Sequence, residues 1–151
     1  MTAINHALTG TAIGLLIGEP LLAVPAAVAS HFVCDALPHF GPSMSTTKLF
    51  KSTSFRNYLV IEALLCFSVV LTLAIVQPTH WQLAALCAFL AASPDLLWIN
   101  PYLKIRHGKH WKLSLYAKFA GGIQWFQRPI GAAVEIAWFI GCLVILTPFM
   151  H

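Results

Sequence analysis

Five apolar windows divide the chain, at residues 3–17, 20–37, 58–76, 81–99 and 129–149. The last three reach the roughly 20 residues that a helix needs to cross a bilayer. The first two are shorter and are joined only by "GEP", and Pro25 interrupts the second. So little polar sequence remains that 58% of residues are hydrophobic and 9% charged. Soluble domains carry about 25% charged residues, so this inventory builds a lipid-facing surface and not a water-facing one. The pattern predicts an all-α, polytopic integral membrane helix bundle with four or five transmembrane helices. The first two windows form a short spanning hairpin or a re-entrant one. With no repeat, low-complexity tract or long linker, residues 1–151 read as a single membrane domain.

"AVA" before Ser30 imitates a signal-peptidase site, but no Lys or Arg precedes the apolar stretch and "GEP" breaks it, so no cleaved signal peptide is expected. Cys34, Cys66, Cys87 and Cys142 lie singly in apolar windows and read as small buried hydrophobes.

The cations set the orientation. Lys48, Lys51 and Arg56 lie between the second and third windows, and Lys104, Arg106, Lys109, Lys112, Lys118 and Arg128 between the fourth and fifth. The other two connections hold none. The positive-inside rule puts both basic loops and the N-terminus in the cytoplasm and the C-terminus outside. Trp81 and Trp98 bracket the fourth window as interfacial anchors.

Of the five acids, Glu19 sits in the outer turn. Asp35, Glu62, Asp95 and Glu135 each fall near the cytoplasmic end of a window, at the level of His6 and His31. A carboxylate buried in a bundle costs several kcal/mol unless it is paired or ligated. Four of them at one depth predict a polar site in the inner-leaflet half. In "SHFVCDALPHFG", His31 and Asp35 are four residues apart and share a helical face, with His39 next on it unless Pro38 ends the helix first. Two donors at i, i+4 suit a divalent metal, and imidazole with carboxylate suits Zn²⁺, Mn²⁺ or Fe²⁺. A buried His–Asp hydrogen bond is the plainer alternative. His6, His31, Asp35, His39 and Asp95 are the candidate metal ligands. Asp95 (ligand or general base), Glu62 and Glu135 are the candidate catalytic carboxylates, although Glu62 and Glu135 have loop cations as alternative partners.

The second basic loop, "KIRHGKHWKLSLYAKFAGGIQWFQRP", begins with cations and ends in a short interfacial helix broken at Gly121-Gly122. Attraction to anionic headgroups accounts for it. The sharper possibility is recognition of a substrate phosphate by Arg106, Lys109 or His110, with Gln124 hydrogen-bonding in the site. No P-loop, dinucleotide fingerprint or GxSxG elbow is present, and no nucleic-acid partner is expected.

"NHALTG", "SHFVCDALPHFG", "SPDLLW" and "IQWFQRPIGAAVEI" together resemble small bacterial inner-membrane proteins classed as membrane-bound metal-dependent hydrolases. "HFVCDALPH" is also similar to the His-x-x-x-Asp stretch that supplies ligands in zinc-dependent phospholipase C and related phosphodiesterases, where a further His follows a Pro by two residues. Here His39 follows Pro38 directly. The resemblance implies a divalent metal, Zn above all, activating water against a phosphoester, with His6, His31, Asp35 and Asp95 at the matching positions. It also implies a bacterial cytoplasmic membrane and a membrane lipid or lipid-linked substrate. The alternatives are an ion or proton carrier, and a noncatalytic membrane protein with a structural metal site.

Overall fold

A computed structural model of the chain describes residues 1–41 and 44–150. Its helices are α1 (Ala3–Ile17), α2 (Pro20–Ala36), α3 (Thr46–Lys51), α4 (Thr53–Val76), α5 (Trp81–Ala92), α6 (Ile99–Arg106), α7 (Leu115–Ile123) and α8 (Gly131–Leu146). A 3₁₀ turn, Ser93–Trp98, links α5 to α6, and another, Thr147–Phe149, follows α8. Among the described residues the sole β feature is an isolated parallel bridge between His39 and Gln127.

Three runs are long and apolar enough to cross a membrane: Thr53–Val76, Trp81–Arg106 and Gly131–Phe149, with mean hydropathies of 2.7, 1.5 and 2.0. Their apolar side chains point outward, as do Val60, Ile61, Leu64, Phe67 and Ile75 on α4. α1 and α2, of 15 and 17 residues, extend about 22 and 25 Å at 1.5 Å per residue, short of a hydrocarbon core about 30 Å thick. The three long runs are therefore the spans that length and composition establish.

α1 is nonetheless the central helix. Ten of its fifteen residues are buried, and it packs against α2, α4, α5 and α8. The contact with α5 is close because both faces are small. A side chain added at Gly10 would strike the Cys87 carbonyl, and one at Gly14 would strike the Ala84 backbone. Ala84, Cys87, Ala88 and Ala91 are fully or almost fully buried on α5, and Cys87 and Ala91 also take Ala23 and Ala27 of α2. Close approach through small residues is the usual way helices associate where no water drives them together. Further along α1, Leu8, Ala12 and Leu15 pack with Leu73, Ala84, Cys142 and Leu146.

Each residue of "GEP" has a local job. Gly18 takes φ 65° and its N–H donates to Gly14 O, which ends α1. The Glu19 carboxylate accepts from Leu22 N–H at 3.0 Å, and Pro20 begins α2 where a missing N–H costs nothing. Pro25 does not interrupt α2, which runs through it to Ala36. The Pro25 ring lies on an exposed face, whereas packing is carried by Ala23 and Ala27. α2 ends at Ala36 with Leu37 extended, as the residue before a proline prefers.

The two basic segments meet, because α3 packs against α6. Phe50 stacks on Phe55 and meets Trp98 and Tyr102 edge-on. Trp98 also touches Trp111 and Tyr116, so it anchors an aromatic cluster at the basic end. Gly121 and Gly122 do not break α7, which carries on to Ile123.

Candidate metal centre

Four elements deliver the polar groups to one end of α1. His6 comes from its second turn, His31 and Asp35 from the last turns of α2, Asp95 from the 3₁₀ turn, and Gln124 from just beyond α7. Pro94 explains the turn. It has no N–H to give Leu90 O, which takes the Ser93 hydroxyl at 2.9 Å instead. Bonding then tightens to the 3₁₀ register, Asp95 swings into reach of His31, and Ala91 O accepts from His31 Nδ1 at 2.8 Å.

That last bond fixes the tautomer. A carbonyl only accepts, so His31 Nδ1 carries the proton and Nε2 faces Asp35 Oδ2 at 3.5 Å and Asp95 Oδ1 at 3.9 Å. A lone pair aimed at two carboxylates is stable only with a proton or a cation between them. The His6 and His31 rings stack at 4.1 Å. His6 Nε2 contacts Asp35 Oδ1 at 3.1 Å, and its Nδ1 is buried without a partner among the described residues. One ligand atom each from His6, His31 and Asp95 lies within 4.8 Å of the other two. Neighbouring ligands on a tetrahedral zinc at 2.0–2.1 Å stand about 3.3 Å apart, so modest closure accommodates an ion. The donors fit a divalent metal.

Asp35 is the hub. Its oxygens accept from Gln124 Nε2 at 2.9 Å, from His6 and from the Met1 α-amino group. A carboxylate behind a metal-binding histidine fixes the ring and raises its basicity. The site is asymmetric in access, with the Asp35 side chain 5% exposed and that of Asp95 37%. Tyr116 holds the open side by donating its hydroxyl to Pro94 O at 2.8 Å. Burial, with the Asp95 and Asp35 carboxylates nearby, pushes this phenol up to about 12, so it keeps its proton at neutral pH.

Other candidates stand elsewhere. Glu62 accepts from Ile4 N–H at 2.9 Å, and Glu135 from Thr2 N–H at 3.3 Å and Phe40 N–H at 3.0 Å. The two buried carboxylates thus satisfy donors at the start of α1, whose N-cap Thr2 makes no side-chain cap of its own. They tie α1 to α4 and α8 and, among the described residues, pair with no loop cation. His39 is buried, donates from Nδ1 to Leu37 O at 2.8 Å, and pairs its backbone with Phe126 and Arg128. It is not drawn into the His6–His31–Asp95 group. Gly131 lets α8 start directly against the His39 backbone. Cys34 is buried on α2 and lies outside the group too.

Of the residues proposed for phosphate recognition, Gln124 alone reaches the cluster. Arg106 bonds to the Tyr102 hydroxyl at 3.1 Å, and Lys109 and His110 line an exposed groove with Thr47, Lys51 and Trp111. The sequence offered no sign of the Ala91 carbonyl as a partner. Asn5, whose amide donates to Glu135 O at 3.1 Å, was legible only as a polar residue one position before His6. Comparison with known proteins adds no relative: no family model, curated protein or solved structure matches the chain.

Proposed function

We propose that the protein is a metal-dependent hydrolase acting on a phosphoester of a membrane lipid or lipid-linked substrate at the cytoplasmic face. One observation carries this reading: His31 Nε2, with its tautomer set by Ala91 O, faces two carboxylates beside the stacked His6 ring. His6, His31 and Asp95 would hold the ion, Zn²⁺ best matching the donor set, with Asp35 fixing His6. When bound, such an ion supplies a Lewis acid and a water ionised near pH 7. Asp95, the most accessible of the three, would take a proton from water. In hydrolysis the water oxygen joins phosphorus, the ester P–O bond breaks, and the departing alcohol takes a proton.

The carrier alternative has less support, because beyond the cluster α1 is sealed by Leu8, Ala12 and Leu15 against Leu73 and Leu146. Glu19, the acid at the far end, caps α2. The cytoplasmic assignment rests on the Lys/Arg asymmetry and on the meeting of both basic segments at the cluster's end of the chain. Reporter fusions after Lys51 and after Gly108 are expected to read cytoplasmic, and a fusion at the C-terminus external. A cytoplasmic C-terminus leaves an even number of crossings and overturns the five-span arrangement.

Proteoliposomes with that face exposed are expected to release phosphate or a phosphorylated headgroup from a lipid mixture when supplied with divalent metal. Asp95→Asn should slow release about a hundredfold or more, the usual worth of a positioned base. Metal-dependent ion flux with no lipid turnover across a broad substrate panel gives the site to a carrier instead.

A further inference from the structure

α7 is odd for an element that closes a site. Its nine residues extend about 13 Å, too little to cross a bilayer. Its inner side is tied down: Ala117 and Ala120 are buried, Tyr116 bonds Pro94 O, and Gln124 reaches Asp35. Its outer side is apolar and bare, with Leu115 86%, Phe119 56% and the following Trp125 72% exposed. Water does not favour such a face on a helix this short.

Charge says what covers it. From residue 96 to residue 134 the chain has no acid and six cations. Lys112 and Lys118 are exposed beside the apolar face. Apolar side chains flanked by cations on a short helix match the boundary between acyl chains and anionic headgroups. A second copy of the chain would bring the same cations against themselves. Gly121 and Gly122 have open space where a side chain would stand, and glycine weakens a helix relative to alanine. α7 is held by its setting more than by its own propensity.

We propose that α7, with the cationic segment leading into it, seats on an anionic lipid surface and forms the membrane-bound wall of the His–Asp cluster. It deepens the hydrolase reading by naming the surface from which substrate reaches Asp95, and it rests on that reading only for this consequence. The test uses the whole protein in nanodiscs, with an environment-sensitive probe on Phe119→Cys in a Cys66→Ala background. Quenching by brominated anionic lipid relative to brominated zwitterionic lipid measures the preference at that position. The expected result is stronger quenching by anionic lipid, with the preference falling about fivefold for each of Lys112→Gln and Lys118→Gln. Equal quenching by both lipids, or none by either because protein covers the face, overturns the proposal. Metal content of the same samples reports the cluster separately, so lost metal with retained quenching counts against the hydrolase reading and leaves the seating intact.

Discussion

His31→Ala protein is expected to purify without divalent metal, whereas wild type isolated without chelator carries it in stoichiometric amount. Elemental analysis of the two side by side is the measurement. The expectation follows from the geometry around one ring. His31 Nδ1 donates to Ala91 O at 2.8 Å, which leaves Nε2 between Asp35 Oδ2 and Asp95 Oδ1 at 3.5 and 3.9 Å. Both distances exceed the usual hydrogen-bond range, yet neither group is free to turn to water on the Asp35 side. If a proton alone filled the gap, removing the imidazole would destabilise the fold by about 3–5 kcal/mol, the cost of stranding a buried partner, and no metal would be present to lose. If a metal fills it, a stoichiometric ion disappears with the ring. Asp35→Asn should act more mildly, weakening metal about 10–100-fold by releasing His6. Wild-type protein that holds no stoichiometric metal refutes the centre outright, whatever the variants do.

The cluster was legible in the sequence because its members are anomalies in their windows. A histidine and a carboxylate at i, i+4 in an apolar run announce themselves, and so does an aspartate just after a proline. Asp35, Glu62, Asp95 and Glu135 share a depth because each window must bring its polar group to the same end. Their division of labour was not legible. Glu62 and Glu135 look like Asp35 on paper, but they face the unpaired N–H groups where α1 begins, a demand set by tertiary neighbours. His39 follows the periodicity of His31 and Asp35, and the helix ends at Ala36, three residues before it. The prominence of α1 was also hidden. Its window is short, and half of its buried residues are the small Ala7, Gly10, Thr11, Ala12 and Gly14. Apolar length reports contact with lipid, and α1 has little of that.

Gly14→Ala is expected to damage this protein more than most single-methyl additions can. The new Cβ would sit within 2.8 Å of Ala84 N and 3.1 Å of Leu83 C. These are backbone atoms of a helix and have no rotamer through which to yield. α1 and α5 must therefore move apart, giving up the close contacts of Gly10 and Gly14 with Ala84, Cys87 and Ala91. Overpacking a well-filled interior costs about 1–3 kcal/mol and sometimes more, and rigid backbone on the receiving side argues for the upper end. The consequence reaches the metal centre, because α1 carries His6 while α5 supplies the carbonyl that orients His31. Thermal unfolding in detergent should fall markedly for Gly14→Ala and for Gly10→Ala, and bound metal should fall with it. Gly121→Ala is the internal control. A side chain there meets nothing within 4 Å, so the same methyl should leave stability unchanged or raise it by up to about 1 kcal/mol through helix propensity. If Gly14→Ala melts like wild type, the close α1–α5 packing is wrong, and the placement of His6 beside His31 falls with it.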